Sequence, residues 1–277
     1  MTPKVAVVGH VEWGEFAVVE HVPAPGEILH ARETFSLAAG GGAVAAVQLA
    51  KLAGEATFFT ALGADALGDA SARELRAAGL RLEAARRGTT RRVFTFLSDD
   101  HERTITVLGE RLVPHAADNL VWESLDACDA VYFTGGDVEA LRHARRARWL
   151  VATPRAFDTL RAARVPVDVL VASANDPGER FAPGLLDPEP RFVVLTSGAE
   201  GGEWHGGEDR TGRWAAEALP GAPVDAYGCG DAFAAGLTFG LAATNDLAQA
   251  LALAARCGAH VLCGRGPYAG QLELPAS

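Results

Sequence analysis

The 277-residue chain has only four cysteines, Cys128, Cys229, Cys257 and Cys263, and no two stand in a CxxC spacing. A disulfide scaffold or a structural zinc site is therefore not expected. Lysine is rarer still. Lys4 and Lys51 are the only two, and arginine carries the rest of the positive charge. Acidic residues outnumber basic ones, 35 to 25, for a formal net charge of −10. Affinity for nucleic acid comes from clustered Lys and Arg, so no nucleic-acid partner is expected. No apolar run reaches the ~18 residues of a membrane helix. Met1-Thr2-Pro3-Lys4 leads straight into a strand-like run with no signal-peptide pattern. These absences predict a soluble cytoplasmic protein without a membrane partner.

What is present is an ordinary globular balance, 49% hydrophobic and 22% charged. The length suits one large α/β domain spanning 1–277. Short apolar runs recur at Val5–Val8, Thr57–Leu62, Ala130–Thr134, Trp149–Ala152, Val169–Ala172 and Phe192–Thr196. Helical patterns lie between them, at Gly42–Leu52, Ala66–Ala78, Val138–Arg146 and Phe157–Arg164, and two more follow at Gly228–Leu241 and Leu247–Leu262. The alternation predicts a three-layer α/β/α fold with a mostly parallel central sheet. Two segments break the rhythm, approximately 16–37 and 80–107. They hold strand-like pieces and the turn Asp99-Asp100-His101-Glu102. They predict a small antiparallel sheet projecting as a lid, able to cover a substrate and exclude water.

The sharpest chemical signal is Asp225-Ala226-Tyr227-Gly228-Cys229-Gly230-Asp231. Glycines directly before a helix let N–H groups point at an anion, and the helix N-terminus adds partial positive charge. Asp231 in the first turn could accept the proton of an attacking hydroxyl. It could equally be a residue that favours a helix start. A second glycine cluster, Gly40-Gly41-Gly42, also opens a helix pattern and permits close ligand approach. A third, Thr196-Ser197-Gly198-Ala199-Glu200-Gly201, ends a strand, where ligands of open α/β sheets sit. Other motifs fail. Gly9 and Gly14 have P-loop spacing but Glu15 follows where Lys is required. There is no GxGxxG after the first strand, no GxSxG elbow, and no metal-ligand spacing among the eight histidines.

Together these motifs resemble the PfkB/ribokinase family of carbohydrate and nucleoside kinases. Gly40-Gly41-Gly42-Ala43 resembles its N-terminal glycine signature, Gly63-Ala64-Asp65-Ala66-Leu67-Gly68 its G-x-D-x-x-G stretch, and Pro25-Gly26-Glu27 its first lid strand. Thr196–Gly201 resembles its nucleotide loop, and Asp225–Asp231 its D-T-x-G-A-G-D signature, with Ala226 and Cys229 replacing Thr and Ala. The resemblance implies transfer of the γ-phosphoryl group of ATP to a hydroxyl of a sugar or sugar-like molecule. It makes Asp231 the catalytic base and the N–H groups of Gly228, Cys229 and Gly230 the anion hole. Asp225, Thr196, Gly198 and Gly201 would bind nucleotide, and the stretch from Gly258 to Gly266 would lie near adenine. Mg²⁺ would bridge the phosphates, a monovalent cation is a further possibility near Asp225, and the lid would offer a homodimer contact.

The chain also departs from the family pattern. The sugar-binding Asp after the first strand is missing; the position falls near Gly14, with Glu12 as a substitute. The Asn of the glycine signature is Ala45 or Ala46, so Glu12, Gly14, Gly41 and Gly42 are what remain as substrate-pocket candidates. The N-x-x-E magnesium motif is off register at Asn175-Asp176-Pro177-Gly178-Glu179, leaving Asp176 and Glu179 as metal candidates. Cys229 is a redox-sensitive thiol or a small filler. A nucleoside kinase, with Trp13, Phe16 and Phe35 as stacking candidates, and a non-catalytic ligand sensor are the alternatives.

Overall fold

The structure is a computed structural model in which residues 2–207 and 210–274 are described. Its core is a nine-stranded sheet. The strands, in chain order, are β1 (Val5–Val8), β4 (Ala56–Leu62), β5 (Leu80–Arg86), β8 (Ala130–Phe133), β9 (Trp149–Ala152), β10 (Val169–Ser173), β11 (Phe192–Thr196), β12 (Gly202–Gly206) and β13 (Arg210–Trp214). The spatial order is β13-β12-β11-β10-β9-β8-β1-β4-β5, and every pair from β11 to β5 is parallel. Buried parallel strands are covered on both faces, which is why these segments read as unbroken apolar runs. Val5 and Val7 face a core shared with helices α1 (Gly41–Ala53), α5 (Cys229–Thr244) and α6 (Leu247–Leu262). Ala6 and Val8 point the other way, toward α3 (Val138–Ala144) and α4 (Phe157–Ala163). The remaining helices are α2 (Ala66–Ala77) and the short α7 (Gly266–Ala269).

A second sheet of four strands, in the order β3-β2-β6-β7, stands over the carboxyl end of the first. It comprises β2 (Glu12–Val18), β3 (Glu33–Ala39), β6 (Arg92–Leu97) and β7 (Arg103–Leu108). This sheet differs from the expected lid in two ways. Leu80–Arg86 is not part of it. The segment follows α2 as the third member of a βαβ crossover and so pairs parallel with β4 at the edge of the main sheet. The small sheet is also not wholly antiparallel, because β2 and β6 pair in parallel. Each leaves the same edge of the main sheet, β2 directly after β1 and β6 directly after β5, so both run outward in one direction. The lid is therefore an extension of two main-sheet strands, which fixes where its inner face lies.

Candidate active site

Two helices begin beneath the lid, and glycines in the left-handed region open both. Gly40 has φ 92° before α1, and Gly228 has φ 85° before α5. Neither cap carries a side chain, so backbone N–H groups of the first turns are left without side-chain partners. The helices meet closely. A Cβ on Gly41 would stand 2.7 Å from Asp231 Oδ1 and 3.6 Å from Thr134 Oγ1. A Cβ on Gly42 would strike the backbone of His10 at 2.6 Å, and one on Gly9 would strike Thr134 at 2.4 Å. Glycine is thus required where β1, β8, α1 and α5 converge, and the convergence delivers Asp231 to the floor of the cleft.

The electrostatics of that floor are unusual for an aspartate. Asp231 is pushed from 3.8 up to about 7. Burial is the main cause, and Glu179 and Glu12 add like charge, while Arg103 and Arg155 oppose the rise. A carboxyl poised near neutrality is suited to taking a proton from a hydroxyl. In front of it, a Cβ on Gly230 would meet nothing within 4 Å, so the loop faces open space. Among the described residues the N–H groups of Gly230 and Asp231 find no backbone acceptor, whereas the Cys229 N–H leans on Ala226 O at 3.4 Å. Of the three, the Gly230 and Asp231 N–H groups are thus the ones left free to meet a ligand. The Cys229 thiol is pushed up to about 12 by burial, so it stays protonated and fills space rather than reacting.

Asp225 is buried and both its oxygens are used. They accept the Tyr227 N–H at 3.0 Å and the Gly266 N–H at 2.8 Å, tying the Asp225–Asp231 loop to α7. The lid also reaches this loop, since the Ala226 N–H donates to His101 O at 3.0 Å. Thr196 ends β11 and donates its hydroxyl to Ala172 O at 3.3 Å. Gly198 (φ 57°) and Gly201 (φ 82°) shape the turn that follows, and a Cβ on Gly201 would meet Trp214 O at 2.1 Å. That turn lies beside Asn175 at the end of β10. Asp176 and Glu179 are brought to the same edge but both pair with Arg155, Glu179 at 3.0 Å. The other Glu179 oxygen accepts the Ser173 N–H at 3.0 Å.

On the lid side, Glu12 lies in the cleft, its side chain only 12% exposed, with Arg91 Nε 3.2 Å from Oε2. Gly14 lies two residues along the same strand but does not face a ligand. The Phe16 ring occupies its side, 2.5 Å from where a Cβ would be. Phe16 is itself stacked on Phe35 at 4.7 Å and edge-on to Tyr227 at 4.9 Å, so neither Phe16 nor Phe35 is free to stack on a base.

The family of carbohydrate kinases described as pfkB matches residues 2–176 and 179–273, nearly the whole chain. The chain belongs to the pfkB carbohydrate kinase family. It is a phosphotransferase acting on an alcohol group. An ATP-dependent ribose-1-phosphate kinase of Halopiger xanaduensis is 27% identical over 278 residues, covering 92% of this chain and 90% of that protein. The ribokinase of Arabidopsis thaliana, solved with ribose and ATP, superposes with a TM-score of 0.75 at 20% identity and covers 98% of this chain and 96% of that one. The adenosine kinase of Sinorhizobium meliloti superposes with a TM-score of 0.74 at 19% identity, covering 96% of each. At such identities the two structures show the shared fold alone.

In this pfkB kinase the sequence reading left several cleft residues unassigned. Arg91, Arg103, Arg111 and Arg155 all act electrostatically on groups of the cleft, and His10 lies buried in it. Their signal was present as four arginines in the loops and strand ends around the lid, but arginine is common in this chain. Only the fold shows which of them share one cleft.

Proposed function

We propose that the chain transfers the γ-phosphoryl group of ATP to a hydroxyl of a sugar or sugar-like small molecule, with Asp231 as general base. The observation that carries this reading is Asp231 itself: partly buried, poised near neutrality, and set between the glycines of two helix N-termini. The acceptor hydroxyl lies between Asp231 and the γ-phosphorus. Its oxygen attacks phosphorus as its proton passes to the Asp231 carboxylate, the bond from phosphorus to the β–γ bridging oxygen breaks, and ADP leaves. The N–H groups of Gly230 and Asp231, with Gly228 opening the turn, stabilise the charge on the transferring group. Arg103, reaching in from β7, adds positive charge above the same point. Thr196, Gly198 and Gly201 border the nucleotide, and the stretch from Gly258 to Gly266 borders its base. Asp225 supports this arrangement from behind, through the two N–H groups it holds.

Bound with ATP, Mg²⁺ would supply neutralisation of phosphate charge. Both oxygens of Glu179, and the Asp176 carboxylate, already have protein partners, so these residues fit a metal ion through its waters rather than as direct ligands. Among the described residues no group of three or more His, Cys, Asp or Glu side chains is placed to hold a metal alone. Each Asp225 oxygen accepts one N–H and keeps a further lone pair, so Asp225 could still take part in holding a monovalent cation. A homodimer through the lid is supported by β7, which among the described residues pairs only with β6 and leaves Ile105, Val107 and Leu108 exposed along a free edge. No helix among the described residues is long and apolar enough to cross a membrane. The four cysteines are free, which supports a reducing, cytoplasmic setting.

The test is ADP release with Mg-ATP across neutral sugars, sugar phosphates and nucleosides, with Asp231→Asn alongside. Stimulation by an acceptor that is lost in the variant supports the kinase reading. Equal stimulation in the variant would overturn the role of Asp231, and ATP binding without stimulation by any acceptor would favour a ligand sensor.

A further inference from the structure

The lid side of the cleft holds more positive charge than a neutral sugar requires. Arg91 follows the turn that ends with Thr90, and this turn is clamped. Asp65 accepts the Thr90 N–H at 2.7 Å and the Thr90 hydroxyl at 2.6 Å while also capping α2 through the Gly68 N–H at 2.9 Å. The Gly63-x-Asp65-x-x-Gly68 motif is packed so tightly around this contact that a Cβ on Gly63 would stand 2.2 Å from Thr90 Oγ1. The motif therefore holds Arg91 in place. Its backbone carbonyl accepts the Trp13 N–H at 2.8 Å, which sets Arg91 beside Glu12.

Arg111 follows β7, whose last residue Leu108 pairs with Arg92, so it leaves the lid at the same end as Arg91. Gly109 lies against Arg91, a Cβ on it 3.9 Å from Arg91 Cα, and two residues later Arg111 is exposed. Among the described residues it makes no ion pair, whereas Arg91 has Glu12 and Arg155 has Asp176 and Glu179. All three guanidiniums act on His10, which is 6% exposed, and together with burial they hold its imidazole neutral. His10 Nδ1 is buried without a hydrogen-bond partner, and Arg91 Nε and Glu12 Oε2, paired by charge at 3.2 Å, make no aligned hydrogen bond, so the cleft contains a polar group that the protein does not satisfy. Glu179, Arg103, Glu12 and Arg155 are the charges that act most strongly on Asp231. The excess positive charge thus gathers around Glu12 and His10, where Arg91 and Arg111 both act.

Resting on the kinase reading above, we propose that Arg111 and Arg91, with His10 beside them, bind a phosphate already present on the acceptor, so that the substrate is a phosphorylated sugar presenting its free hydroxyl to Asp231. A guanidinium offers paired N–H donors that match phosphate oxygens, and a dianion best balances Arg91 and Arg111, which share the single carboxylate of Glu12. The buried His10 Nδ1 then gains a partner when the ligand binds.

The experiment compares ribose 1-phosphate, ribose 5-phosphate and fructose 1-phosphate with ribose, fructose, adenosine and gluconate as acceptors for Mg-ATP. Arg111→Ala, Arg111→Lys and the remote surface variant Arg161→Ala are run beside the unmodified chain. We expect a phosphorylated sugar to be used at least about 100-fold more efficiently than its neutral counterpart. Arg111→Ala should raise the KM for that acceptor about 10- to 100-fold with little change in the KM for ATP, and Arg111→Lys should restore part of the loss. Arg161→Ala should change neither constant. Asp231-dependent turnover of a neutral sugar or of gluconate in preference to every phosphorylated acceptor would overturn the phosphate assignment while leaving the kinase reading intact. If no acceptor is turned over, thermal shifts decide. A Tm rise with ribose 1-phosphate or fructose 1-phosphate but not ribose, lost in Arg111→Ala, supports the phosphate site without the kinase. Absence of any rise with all three phosphorylated sugars overturns it.

Discussion

Gly41 and Asp231, 190 positions apart in the chain, are in such close contact that a single added carbon on Gly41 would stand 2.7 Å from Asp231 Oδ1. A side chain at Gly41 would displace the carboxylate or occupy the place of the acceptor hydroxyl. Gly41→Ala should therefore lower kcat with ADP release about 100-fold, in line with a misplaced general base. Its Tm should fall by no more than a few degrees, because the atom it meets is the end of a side chain. Gly42→Ala should behave oppositely. Its Cβ meets backbone on both sides of His10, at 2.6 and 2.8 Å, so lost stability on the order of 2 kcal/mol should dominate in a denaturant titration.

Asp231→Asn separates activity from stability. Loss of the base should cost about 10²–10⁴-fold in turnover, measured as ADP release, while ATP binding persists. The same change should stabilise the fold at alkaline pH. Raising a carboxyl from 3.8 to about 7 means that the folded state binds its proton more tightly than the unfolded state does. The charged form is therefore disfavoured in the fold, by about 4 kcal/mol in a dry site. Asp231 is only partly buried, and solvent screening brings the expected gain of the variant at pH 8 to about 2 kcal/mol. That gain should shrink as pH falls from 7 toward 4, where the aspartic acid is neutral in the fold. A gain independent of pH would show that packing, not charge, is the cause.

The pH-rate profile follows from the same group. The base must be ionised in the free enzyme, so kcat/KM should rise through about pH 7 and then level. Arg103 opposes the upward shift from its place on the lid. Arg103→Gln should move the rising limb to higher pH, which a fault in folding alone would not do.

Most of the architecture was legible because buried parallel strands and their covering helices have plain signatures. Trp149–Ala152, Phe192–Thr196 and Leu247–Leu262 have the same bounds in the sequence pattern and in the structure. The lid was harder to read. Leu80–Arg86 alternates apolar and polar residues, as a strand with one face exposed does wherever it pairs, and only the crossover from β4 through α2 assigns it to the main sheet. The glycines of the cleft were visible as clusters. Their separate duties were not, since Gly14 makes room for Phe16 whereas Gly41 makes room for Asp231. The arginines were least legible, because a guanidinium's role depends on which carboxylates surround it, and those come from distant loops.

Gly230 offers the most direct test of the anion site. It lies in the first turn of α5 outside the left-handed region, and a Cβ there meets no atom within 4 Å. A larger residue is therefore sterically compatible with the fold, and Gly230→Val should keep Tm within a few degrees of the unmodified chain. The added methyl groups would nevertheless project into the space before the Gly230 and Asp231 N–H groups, where the transferring phosphoryl group must come within about 3 Å of its donors. We expect kcat to fall by about 10²–10³-fold, the cost of losing an oxyanion donor. Full activity in a folded Gly230→Val protein would mean that the loop does not approach the phosphate, and the anion site would have to lie elsewhere along the strand ends.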